Sequence, residues 1–135
     1  MTSRLEQFSE HARRAPALAH IAARQLDHGY IDTCHILLGL MQLPESQAVR
    51  ILASLNIDLR KLNSSVELIV GRGGEGAAGE IRLADGTKRV IELAVDKSRR
   101  LAYNHIGTEH LLIALMREGE GATVREGRNS IQDRS

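Results

Sequence analysis

The chain has 135 residues, with 18 Lys and Arg against 17 Asp and Glu and a formal net charge of +1. That balance excludes the basic footprint of a nucleic-acid or membrane-surface binder, a single cysteine excludes an internal disulfide framework, and no apolar run reaches the ~20 residues of a membrane span. With one Phe, two Tyr and no Trp, the core must be built from Leu, Ile, Val and Ala, which suits helix packed on helix.

Ser9 is expected to cap a helix running to about His28, with Ala12, Ala15, Leu18, Ala19, Ala22 and Leu26 on one face. Pro16 lies inside it, where proline removes a donor and clashes with the carbonyl four residues back. The expectation is either a kink or a short turn before a helix that starts near Pro16. Gly29 should end this helix. Thr33 should cap a strongly apolar second helix from Cys34 to about Leu43, stopped by Pro44. Ser46 starts a third, carrying Val49, Ile51, Leu52 and Leu55. Asp58 caps a fourth, with Leu59, Leu62, Val66, Ile69 and Val70, and Gly71 closes it.

Residues 71–84 read as a linker. GRGGEGAAG is flexible, and EIRLADGT is expected to be too short and polar to form a paired strand. Asp85 or Thr87 then opens a second long helix through Val90, Ile91, Leu93, Ala94 and Leu101. Thr108 is expected to cap a last helix, Glu109 to Glu118. Beyond it GRNSIQDRS has no apolar period, which predicts a frayed tail over 128–135.

The chain says one thing twice. Residues 24–41 read RQLDHGYIDTCHILLGLM and residues 99–116 read RRLAYNHIGTEHLLIALM, an ungapped offset of 75. Arg24, Ile31, Thr33, His35, Leu37 and Met41 match Arg99, Ile106, Thr108, His110, Leu112 and Met116, polar positions included. Two similar units follow, repeat one over about 5–71 and repeat two over about 85–127. Each alone would be marginal, so they are expected to share one core within a single domain, 1–135. The fold class is all-α: two helical repeats related by a pseudo-twofold axis, the second truncated at its C-terminus.

Chemical motifs are sparse. Gly71, Gly73 and Gly76 formally match G-x-G-x-x-G, with Glu92 downstream, but the preceding segment has helical spacing where a dinucleotide site needs a strand. No Walker lysine motif occurs. Six histidines and Cys34 lack zinc-ligand spacing. His35 and His110 hold equivalent places at a helix start, where a satisfied structural histidine is the usual outcome. Cys34 near a helix N-terminus reads either as a low-pKa thiol or as a small, partly buried side chain. No catalytic triad or acid–base pair is present. The expectation is no enzyme, no cofactor and no metal. The N-terminal residues lack the apolar stretch of a secretory signal, and a cytoplasmic protein is the simplest reading.

The repeated helix–loop–helix units, with Ile106-Gly107-Thr108-Glu109-His110-Leu111-Leu112 and Arg117-Glu118-Gly119-Glu120-Gly121, resemble the Clp N-terminal domain over about residues 5–125. This is the substrate- and adaptor-docking module of ClpC- and ClpA-type unfoldases. The resemblance implies an all-helical pseudo-twofold domain that binds adaptors, substrate proteins or peptides, phosphoarginine-tagged proteins and some cyclic-peptide antibiotics, without nucleic acid or membrane. The ATPase modules have no counterpart here. The chain is expected to be an accessory or decoy docking module for a Clp unfoldase-protease; the alternatives are a structural subunit docked on the protease core, or the N-domain of a longer ATPase.

The resemblance also implies site residues. A glutamate at the position of Glu109 grips the guanidinium of phosphoarginine, and a hydroxyl capping the preceding long helix helps hold the phosphate. Read along the chain, the first repeat keeps Ser9 but has Cys34 for the glutamate, and the second keeps Glu109 but has Ala84 for the hydroxyl. Each site then has half of its pair. The plain alternative is that Glu109 only complements its own helix dipole. A cyclic-peptide groove between the two long helices would place Leu5 and Leu83 as its walls, with Lys88 and Glu92 retained and Ala17 and His20 departing. For Lys88 and Glu92 a solvated helix face is an equal reading.

Overall fold

Ser9 adopts extended dihedrals and its side chain accepts the Ala12 N–H, so the first helix starts where the hydroxyl replaces a missing backbone partner. The computed structural model describes residues 7–73, 81–101 and 105–119. Their order is α1 (Glu10–Gln25), β1 (Tyr30–Ile31), α2 (Thr33–Met41), α3 (Gln47–Ser54), α4 (Leu59–Val70), β2 (Arg82–Leu83) and α5 (Asp85–Arg100), then α6 over residues 108–119. The all-α expectation holds. Leu5 and the tail 128–135 lie outside the described residues, as do residues 120–127, where the second repeat should end.

Ala12, Ala15, Ala19 and Ala23 are fully buried along α1. Small side chains there let α2 approach closely: a Cβ on Gly39 would stand 3.0 Å from the Ala19 nitrogen. Ile36, Leu40, Leu52, Val90, Ala94 and Leu111 complete one core shared by both units. Such a seam keeps α1 continuous through Pro16, contrary to the expected start near Pro16. The lost hydrogen bond costs less than opening that packed face would.

Four further expectations are corrected. α1 ends at Gln25, and Asp27, at φ 57°, makes the turn expected of Gly29. The cap of α2 is Asp32, whose carboxylate accepts from Thr33 while the His35 side chain accepts the Asp32 N–H. Thr33 is therefore the first helical residue. Gly107 likewise precedes α6, and Thr108 instead accepts the Ala48 N–H at 3.0 Å, capping α3 from the other unit. Finally, EIRLADGT does contain a paired strand. β2 runs parallel to β1 with Tyr30 opposite Arg82 and Ile31 opposite Leu83. Two residues suffice because α5 and α2, which follow the two strands, are already held side by side in the core.

The 75-residue offset reappears in the hydrogen bonds. Ser9 N–H donates to Ile106 O at 2.8 Å, and Ala84 N–H donates to Ile31 O at 3.0 Å. Asp32 N–H and Gly107 N–H each donate to the histidine three residues on, at 2.8 Å. The units are thus crossed: the segment before α1 pairs with the segment before α6 through the Phe8–Ile106 bridge, and the segment before α5 pairs with that before α2.

Candidate ligand-binding site

Crossing decides which side chains meet. Ser9 comes from repeat one and Glu109 from repeat two, yet both line one hollow, with His11, Gln47, Gly107 and His105 around it. The half-sites expected from chain order are therefore wrongly paired. One hollow holds both the hydroxyl and the carboxylate. At the pseudo-equivalent place, Ala84 and Cys34 supply neither, and the nearby hollow of Asp32, Cys34 and His28 has a different chemistry.

Local sequence explains where Glu109 points. Its carboxylate lies over Gly107, and a Cβ on that glycine would collide with it. Glycine and glutamate belong together here, just as Asp32 goes with the shorter Cys34 in repeat one. His110 is buried, and Nδ1 accepts from Gly107 N–H, so the ring is neutral with its proton on Nε2. Burial lowers its pKa, against a smaller raising effect of Glu109. The 3.7 Å approach of Glu109 to Nδ1 is consequently no ion pair. What the hollow can do is hold an anion at the first turn of α1 and a cation at Glu109.

His35 mirrors His110. Asp32 N–H fixes Nδ1 as an acceptor, leaving Nε2 to donate to His28 Nδ1 at 2.7 Å, and burial lowers the His35 pKa, with His28 adding to the effect. Burial first, and then the Asp32 charge, push the Cys34 thiol up to about 11. That agrees with the reading of Cys34 as a small, partly buried side chain. Among the described residues no three His, Cys, Asp or Glu side chains converge as metal ligands. The start of the Gly-rich stretch follows α4, a helix; Gly76 lies outside the described residues.

A second concavity of about 460 Å³ lies across the pseudo-twofold axis between α1 and α5. Leu83, Lys88 and Glu92 line it, together with Ile91, Pro16 and Phe8. Ala17 and His20 are not among its walls. Phe8 is the wall that the sequence reading missed. It sits 75 residues before Leu83, so the repeat itself could have found it.

The sequence matches the family profile of the Clp repeat (R) N-terminal domain over residues 7–127. The chain belongs to this family. A ClpA homolog from Porphyra purpurea, an ATP-binding subunit of the ATP-dependent Clp protease, is 43% identical over 120 residues, covering 89% of this chain and 15% of that protein. The chain thus spans about 15% of the length of that relative. The N-terminal domain of the chaperone ClpD from Arabidopsis thaliana aligns with TM-score 0.70 and 25% identity, over 92% of this chain and 84% of that one. A ClpV N-domain in complex with a VipB peptide shares the fold at TM-score 0.73 and 12% identity, over 87% and 72%. Among the described residues of this Clp N-domain, no helix is long and apolar enough to cross a membrane.

Proposed function

We propose that this Clp N-domain is a non-enzymatic docking module that holds proteins or peptides for a Clp unfoldase-protease, as an accessory or decoy. The observation that carries this reading is the open apolar groove across the pseudo-twofold axis, walled by Phe8 and Leu83 and edged by Lys88 and Glu92. Grooves of this kind take peptides by apolar anchors with a few polar contacts for orientation. The peptide complex of a ClpV N-domain supports it by analogy of fold. Cyclic-peptide antibiotics would enter the same groove.

The Ser9–Glu109 hollow is the second part of the proposal. It takes phosphoarginine displayed on a protein, the phosphate at the first turn of α1 and the guanidinium on Glu109. Titration calorimetry with free phosphoarginine tests it. Binding should be present in the parent and fall about ten- to a hundredfold in Glu109→Ala, since each charge-assisted contact contributes roughly 1.5–3 kcal/mol. Equal affinity in parent and Glu109→Ala would leave Glu109 as a helix-end charge only. Mg-ATP titrated into the same protein should give no heat of binding.

A further inference from the structure

An anion held in the Ser9–Glu109 hollow sits beside a carboxylate. The described residues that line this hollow include no lysine or arginine to balance the two. Arg13 of α1 directs its Nε to the Phe8 carbonyl at 3.1 Å and is not among them. The first-turn amides of α1 supply roughly half a positive charge, against which Glu10 stands in the same turn. A phosphoryl group therefore needs a further cationic partner.

Two lining residues can become cationic there. His11 is half-buried at the second position of α1, and His105 is exposed on the segment that leads to the Phe8–Ile106 bridge. His110 cannot serve, because it is buried and its Nδ1 already accepts the Gly107 N–H. α3 contributes only the neutral Gln47. The repeat sets the first two histidines apart. At the offset of 75, His11 corresponds to Gly86 and His105 to Tyr30. The counterpart that has lost the hydroxyl and the carboxylate, at Ala84 and Cys34, has no histidine at either place. Both imidazoles go with the complete pair.

We propose that His11 and His105 are the cationic partners of the phosphoryl group, so that capture of phosphoarginine in this hollow takes up protons and tightens as pH falls. The proposal rests on the phosphoarginine reading of the hollow. An anion next to an imidazole favours its protonated form. Imidazoles in water titrate at about 6.5, so a ligand that selects the charged form draws protons onto the protein near neutral pH. By linkage, affinity then rises as pH falls toward that value.

The test is calorimetric titration of phosphoarginine into the full chain in two buffers of different ionisation enthalpy, which reads affinity and proton uptake together. Between about pH 8 and about pH 6.5 the affinity should rise at least about fivefold, with net proton uptake on binding. His11→Gln with His105→Gln should lose both the rise and the uptake, and each single variant should lose part. Glu109→Ala should bind more weakly at both pH values yet keep the rise. Thermal melts check that the variants are folded. Affinity that does not change with pH would overturn the proposal and leave an always-charged residue as the partner of the phosphate; a rise that survives in the double histidine variant would overturn it too. Either result leaves the phosphoarginine reading standing. Absence of binding by the parent at both pH values would overturn that reading, and this proposal with it.

Discussion

Gly107 controls what Glu109 can reach. Because the atom a Cβ would meet is the tip of a flexible side chain, Gly107→Ala should cost little stability. It should instead swing the carboxylate out of the hollow and weaken phosphoarginine binding at least tenfold. A thermal melt and a titration on the same variant separate the two effects; intact affinity would show that Glu109 is not aimed by this contact. At Gly39 the outcome is opposite, because the neighbour is α1 backbone 3.0 Å away. Gly39→Ala should destabilise by about 1–3 kcal/mol in urea unfolding.

His35 and His110 make stability depend on pH. Both are buried with lowered pKa values, whereas an unfolded histidine titrates at about 6.5. Below that value the unfolded chain takes up protons that the folded one resists. Stability is therefore full at neutral pH and falls as pH drops, by at most about 1.4 kcal/mol per unit per histidine. Urea midpoints should be flat above about pH 7 and decline between about 6.5 and 5; a midpoint that rises on acidification contradicts this. Both histidines were legible as structural from their equivalent places in the repeat. For Cys34 the sequence offered both a low-pKa thiol and a small, partly buried side chain, and burial, which raises the thiol pKa, agrees with the second.

Helix ends and strands are the elements that the sequence described least well. Caps at Ser9, Ser46 and Asp58 were readable because each hydroxyl or carboxylate serves its own helix. Thr108 was misread because its hydroxyl serves α3, sixty residues away in sequence. Thr108→Val keeps the shape and removes that acceptor. Leaving the Ala48 N–H buried without it should cost roughly 1–3 kcal/mol, seen as a lower urea midpoint, and no change would mean that water replaces the hydroxyl. β1 and β2 were invisible for a different reason. Two residues carry no alternation, and their pairing is a consequence of packed helices. Pro16 shows the same dominance of packing over local propensity. Pro16→Ala should raise the melting temperature, as the Ala12 carbonyl regains its partner.

At the scale of the molecule, the repeat gave the architecture: equal offsets in sequence became equal hydrogen bonds around a pseudo-twofold axis. It could not give the crossing. Ungapped similarity says that two units are alike, not which end of one touches which end of the other. The Phe8–Ile106 bridge and the β1–β2 pair settle that. Site pairing depends entirely on this crossing, and so does the difference between two half-sites and one whole one. Cys34 and Ala84 stand as a doubly depleted counterpart, and restoring it needs both Cys34→Glu and Ala84→Thr. The most direct measurement is the stoichiometry of phosphoarginine binding by calorimetry on the parent, the two single variants and the double variant. One site is predicted in the parent and in each single variant, and two in the double variant. A second site created by Cys34→Glu alone, or no site in the parent, would contradict the crossed pairing of Ser9 with Glu109.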